Sequence, residues 1–129
     1  MPAVWINPAD QSTWVFVAND NGMSGLKLVL DHGGNPSLAT QWTIGTSGSS
    51  PIVANGVLYL AGSGITALNP VTHAQLFHDG SIGGIHWESP IVAEGVLYIT
   101  DESGQITAYT PNGIVPPPLT NVFLPLATH

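Results

Sequence analysis

The chain has 129 residues, 43% of them hydrophobic, 7% charged and none of them cysteine, and its formal charge is −7 because Lys27 is the one basic residue beside five histidines. That balance excludes nucleic acid as a partner, since Lys and Arg are what displace counterions from phosphate, and it disfavours anionic membrane surfaces and phosphorylated ligands. No apolar run reaches the length of a bilayer span, no signal peptide is visible, and the lack of cysteine fits any compartment in which disulfides are not used. The low-charge, Gly- and Pro-rich surface solvates well enough to need no special explanation; adaptation to an acidic or extracellular setting is the sharper reading.

In chain order, the first apolar runs are Pro2-Ala3-Val4-Trp5 and Trp14-Val15-Phe16-Val17-Ala18, separated by extra residues around Asn7 to Gln11. Asn19-Asp20-Asn21-Gly22 reads as a tight turn, and extra residues around Gly33 to Leu38 lengthen this unit before Trp42. After the linker Ser47-Gly48-Ser49-Ser50 comes SPIVANGVLYL, Ser50 to Leu60, which returns as SPIVAEGVLYI, Ser89 to Ile99, with nine identities in eleven positions at an offset of 39. SGITALNP (Ser63 to Pro70) likewise returns as SGQITAYTP (Ser103 to Pro111) with one extra residue. Self-similarity at a period near 40 marks an array of repeated supersecondary units, and the opening runs read as a fainter first copy.

Within each unit, runs rich in Val, Ile, Leu, Tyr and Thr are separated by Asn-Gly, Glu-Gly or Ser-Gly, the signal for strands joined by tight hairpins. Asn55-Gly56 and Glu94-Gly95 are the hairpin turns. VLYL and VLYI are apolar throughout, as for strands covered on both faces. ITAL and ITAY alternate better, and QLFHDG is more polar, so these are expected nearer an exposed edge. No run has convincing helical periodicity. The expectation is all-β: a partial β-propeller of about three four-stranded antiparallel blades, with units at about 2–49, 50–88 and 89–113. A Pro-rich tail follows at 114–129, in which Pro116-Pro117-Pro118 is a stiff spacer. Val122 to Leu126 either adds a strand or covers an exposed face, or resembles the short FLPL endings of secreted repeat proteins.

These units resemble the blades of the pyrroloquinoline quinone (PQQ) type of propeller, the quinoprotein dehydrogenase superfamily. That family's docking motif has the form A-x-D-x-x-T-G-x-x-x-W, its tryptophan packing on the next blade. Ala67-Leu68-Asn69-Pro70-Val71-Thr72-His73-Ala74-Gln75-Leu76-Phe77 keeps the spacing with Asn for Asp, His for Gly and Phe for Trp. Asp31, Gly34 and Trp42 resemble the motif stretched by three residues, and the third unit follows it from Ala108 to Gly113. The resemblance implies a bacterial protein in an extracellular or periplasmic setting. It covers non-enzymatic propellers, such as the lipoprotein of the outer-membrane assembly machinery, and dehydrogenases that bind the quinone beside calcium with adjacent cysteines. This chain has no such cysteines. Full propellers of the family have around eight blades, so three units imply the C-terminal part of a longer propeller protein, or a short product of one, with other blades or a second copy meeting its open faces.

The densest chemistry is His86-Trp87-Glu88, just before the third unit's first strand. In a propeller this connection lies on the cleft-bearing face, where His and Glu can ligate a metal or exchange protons and Trp can stack on a planar ligand. Alternatively Trp87 packs between blades while His86 and Glu88 bond to the loop backbone. Asn19 to Gly22 and Asp101-Glu102-Ser103-Gly104 faintly resemble calcium loops, but turn chemistry explains them better. His32, His73 and His78 read as solvated residues in or beside outer hairpins. There is no G-x-S-x-G, no phosphate-cradling loop and no H-E-x-x-H.

The expected function is therefore a non-catalytic PQQ-like propeller segment, a scaffold or binding module with a protein or small-molecule ligand at His86, Trp87 and Glu88, and with no cofactor. The alternative is a fragment of a PQQ-dependent alcohol or sugar dehydrogenase, carrying PQQ and calcium.

Overall fold

A computed structural model describes residues 1–110; the end of the third unit and the Pro-rich tail lie outside the described residues. Within them the protein is all-β, with eleven strands and no helix. Strands β1 (Ala3–Ile6), β2 (Thr13–Asn19), β3 (Gly22–Leu30) and β4 (Pro36–Ile44) form the first sheet, and β5 (Ile52–Ala54), β6 (Val57–Gly62), β7 (Gly64–Leu68) and β8 (Gln75–Asp79) the second. The third holds β9 (Ile91–Ala93), β10 (Val96–Thr100) and β11 (Ile106–Tyr109), three strands among the described residues where four were expected. Every pairing is antiparallel between sequence neighbours, so each sheet is a simple meander. None of the three closes on itself.

The turns between β5 and β6 and between β9 and β10 are two-residue loops. Asn55 and Gly56 have φ of 50° and 73°, Glu94 and Gly95 of 51° and 77°. Positive φ at both central positions is what a right-twisted hairpin needs. The extra residues of the first unit close the β1–β2 loop, where the Gln11 amide donates to the Asn7 carbonyl at 2.8 Å, and lengthen the β3–β4 hairpin to nine residues a side.

Strand periodicity then assigns the core. In β6, Leu58 and Leu60 point to one face and Tyr59 and Ala61 to the other. The first pair joins Trp14, Phe16, Met23 and Trp42 of the first sheet, together with Leu68, in one buried cluster. The second pair packs with Ile65, Leu97, Ile99 and Tyr109 in another. The second sheet is thus covered on both faces. Strand β7 is buried along its whole length, contrary to the expectation that ITAL lies near an exposed edge. Its partners β6 and β8 flank it in the sheet, Leu68 serves one cluster and Ile65 the other, and Thr66 is sealed by a 2.9 Å hydrogen bond to His78 Nδ1.

An aromatic on the last strand of each complete sheet fixes the next sheet. Trp42 lies across Gly25, donates its indole N–H to the Pro70 carbonyl at 3.1 Å and sits 5.7 Å from the His73 ring. Phe77 lies across Ala67 and meets the Tyr109 ring edge-on at 5.6 Å. Each aromatic faces a residue with little or no side chain, which leaves room for the ring to lie over the strand.

Two consequences are measurable by urea denaturation. A methyl group at Gly25 would overlap the Trp42 ring, so Gly25→Ala is expected to destabilise by about 1–3 kcal/mol at unchanged m-value. Glu94 adopts the same left-handed conformation as Asn55 without the residue type that tolerates it, so Glu94→Asn is expected to stabilise by roughly 0.5–1 kcal/mol.

Candidate functional site

At one end of the sheets the β2–β3 turn, the segment Ser47 to Ser50, the β6–β7 turn and the segment before β9 converge around a cleft of about 540 Å³. Its shape depends on carboxylates that grip backbone amides. Asp79 Oδ1 accepts from the Ser81 amide at 2.8 Å and the Ser81 hydroxyl at 2.6 Å, and Asp79 Oδ2 from the Tyr109 hydroxyl at 2.6 Å. Asp101, 6% exposed, accepts from the amide and hydroxyl of Ser103 and, across to the other loop, from the Gly83 amide at 2.8 Å. Gly83 allows that approach, because a Cβ there would crowd the carboxylate. The Glu102 amide donates back to the Gly84 carbonyl at 2.9 Å. The segment entering β9 is thereby tied to the β10–β11 turn.

His86 and Trp87 line the cleft. Trp87 does not pack between sheets: it is 92% exposed. Glu88 turns back on its own loop, its Oε2 accepting from the amides of His86 and Trp87 at 3.0 Å each. His86 Nε2 lies 3.6 Å from Glu102 Oε1, with both side chains exposed. The three residues are therefore adjacent but divided in role, Glu88 holding the backbone while Trp87 and His86 present themselves. Ser49 anchors the other wall, its hydroxyl donating to the Glu88 carbonyl at 2.9 Å and its amide to the Ala61 carbonyl at 2.7 Å.

The other candidates are structural. Asn19 Oδ1 accepts from the Asn21 amide at 2.8 Å, and Asp101 organises its own turn. Among the described residues no three His, Cys, Asp or Glu side chains come together as a metal site. His78, exposed as expected, bonds to the buried Thr66 and so joins β8 to β7. His73 takes a positive φ beside Trp42, and His32 is exposed in the β3–β4 turn. Sequence reasoning missed Asp79 and Asp101 as loop clamps. The signal was a recurrent D-x-S: Asp10 grips Ser12 in the same way, amide at 3.0 Å and hydroxyl at 2.5 Å.

Hydrogen bonding sets the electrostatics of this end. Ser81 first and then Tyr109 hold the Asp79 carboxyl below its ordinary value; Ser103, then Gly83, do the same for Asp101 against the opposing effect of burial. The amides of Glu88 itself, His86 and Trp87 lower Glu88. Burial, then Asp79, pushes the Tyr109 phenol up. No protein-family model and no curated protein matches this chain. Among the described residues no helix is long and apolar enough to cross a membrane.

A pH dependence follows with a definite sign. Asp79 and Asp101 have folded pKa values below the ordinary 3.8, so their contribution is complete above that value and is lost as pH falls through the lowered one. Denaturation midpoints are expected to be flat from about pH 5 to 7 and to fall below about pH 4. Asp101→Asn is expected to flatten that acid limb while destabilising the protein at neutral pH by about 1–3 kcal/mol.

Proposed function

We propose that the chain is a non-catalytic PQQ-like β-propeller segment, each sheet a blade, acting as a scaffold and binding module whose interaction surface is the loop end bearing His86 and Trp87, with Glu88 as its support. One observation carries the reading. The face of the second sheet that receives the third presents Ile52, Tyr59, Ala61 and Ile65. At equivalent positions the outward face of the third sheet presents Ile91, Tyr98, Thr100 and Ile106, and these line an open groove of about 400 Å³. A surface that repeats a docking face is suited to another sheet of the same kind. The far side of the first sheet is also apolar and open, with Val4, Ile6, Val17, Leu28, Leu30 and Leu38 exposed.

Such faces are joined head to tail, in a ring where the rotation closes. In a longer propeller the next blade covers the third sheet; for the isolated chain the occupant is a second copy. The extracellular or periplasmic setting belongs to this same reading and rests on the resemblance. Among the described residues no three His, Cys, Asp or Glu side chains come together to support the PQQ-dependent dehydrogenase alternative.

Light scattering after size exclusion tests the proposal. The wild type is expected to run as a dimer or larger assembly at micromolar concentration, and Tyr98→Asp or Val17→Asp to shift it towards monomer by at least tenfold in dissociation constant. A wild type that stays monomeric, or an assembly indifferent to both substitutions, would overturn it.

A further inference from the structure

We infer that the cleft beside Trp87 binds a neutral carbohydrate, which stacks on the exposed indole and hydrogen-bonds to the serine-rich wall opposite. This rests on the proposed reading of that loop end as an interaction surface and gives its ligand a chemical class. The first support is a break in the repeat. At the offset of 39 that relates the second and third units, His86 and Trp87 correspond to Ser47 and Gly48. Gly48 is pressed against β6, where a Cβ would meet the Ala61 carbonyl oxygen at 2.5 Å. Sheet packing therefore calls for no side chain at that place in one unit. At the corresponding sequence position the other unit carries the most exposed large hydrophobic side chain of the described residues, at 92%, while Gly83 and Gly84 are the residues that pack beside the end of β10. A requirement of the fold would recur with the repeat, and this aromatic does not.

The second support is the chemistry of the walls. The cleft volume of about 540 Å³ lies in the range of small-ligand sites. Around Trp87 it offers the hydroxyls of Ser47 and Ser63, groups that both donate and accept, as sugar hydroxyls do. The C–H face of a pyranose is apolar with outward-pointing positive hydrogens and so complements the negative face of an indole. An anion is disfavoured, since no Lys or Arg lines the cleft and the α-ammonium of Met1 at its rim donates to Ser50 Oγ at 3.1 Å. A cation is disfavoured in turn because Asp79, Asp101 and Glu88 are engaged with amides and hydroxyls of the fold and Glu102 faces His86, leaving Asp20 as the carboxylate on the wall.

The test uses the full chain with ¹⁵N-labelled tryptophan, following the four indole resonances, with Trp87→Ala assigning the one at the cleft. Titrants are neutral tetrasaccharides (cellotetraose, maltotetraose, chitotetraose and mannotetraose), with tetramethylammonium chloride, a heparin tetrasaccharide and a proline-rich decapeptide as the other classes. At least one neutral tetrasaccharide is expected to shift the Trp87 resonance saturably, with at least tenfold weaker binding in Trp87→Ala and less than threefold change in Asp20→Asn. If only tetramethylammonium, heparin or peptide acts on Trp87, the carbohydrate class is wrong while the interaction surface stands. If no titrant moves Trp87 while far-UV circular dichroism shows the fold intact, both are overturned. Saccharide shifts confined to the other three indoles would also sink the assignment to this cleft.

Discussion

Burial of the second sheet on both faces is the constraint from which the rest of the described structure follows. A short β-meander with one residue in two apolar can bury one face against a neighbour; it cannot bury both alone. Here β6 sends Leu58 and Leu60 one way and Tyr59 and Ala61 the other, and each set finds an apolar face prepared for it. Trp42 and Phe77 then lock each contact from the outer strand, one through an indole hydrogen bond and one through an edge-on ring contact. Stability in such an arrangement is close to a sum over interfaces. The first and third sheets, each with one partner among the described residues, are therefore its weak points.

Stacked sheets also dictate where chemistry can sit. Strand residues are consumed by the two interfaces, so free polar side chains gather where chain segments cross between sheets. At this end those crossings are disciplined by Asp79, Asp101 and Glu88, each of which satisfies amides that a tight loop would otherwise leave unpaired. The same bonds that lower the carboxyl pKa values hold the loop bearing Trp87 in place. Rigid support of an exposed aromatic is what low-entropy recognition needs, because little is lost when a ligand immobilises it.

Much of the local architecture was legible because it is written in short-range chemistry. Asn55-Gly56 and Glu94-Gly95 announce hairpins since only certain residues accept positive φ. The twin VLY runs expose the repeat, and Trp42 and Phe77 were singled out at corresponding motif positions. Burial of ITAL was misjudged because alternation along one strand does not reveal that Thr66 is capped by His78 and that two sheets cover the rest. The reach of Asp101 to Gly83 joins residues eighteen positions apart, and no local pattern encodes that partner. Glu88 was grouped with His86 and Trp87 by adjacency, yet its carboxylate faces its own backbone.

The unequal crossings of the repeat carry a final implication about how function enters an array. Ser47 to Ser50 and His86 to Ser89 correspond at the offset of 39, and both are followed by a buried proline, Pro51 or Pro90, that fixes entry into the next strand. The strands that follow are nearly identical in the two units. The crossings differ in how they are held: Gly48 is pressed against β6, whereas Trp87 is exposed. A stacked-sheet architecture in this way holds its repeat through the faces, and a side chain that no interface requires, Trp87, stands on a crossing.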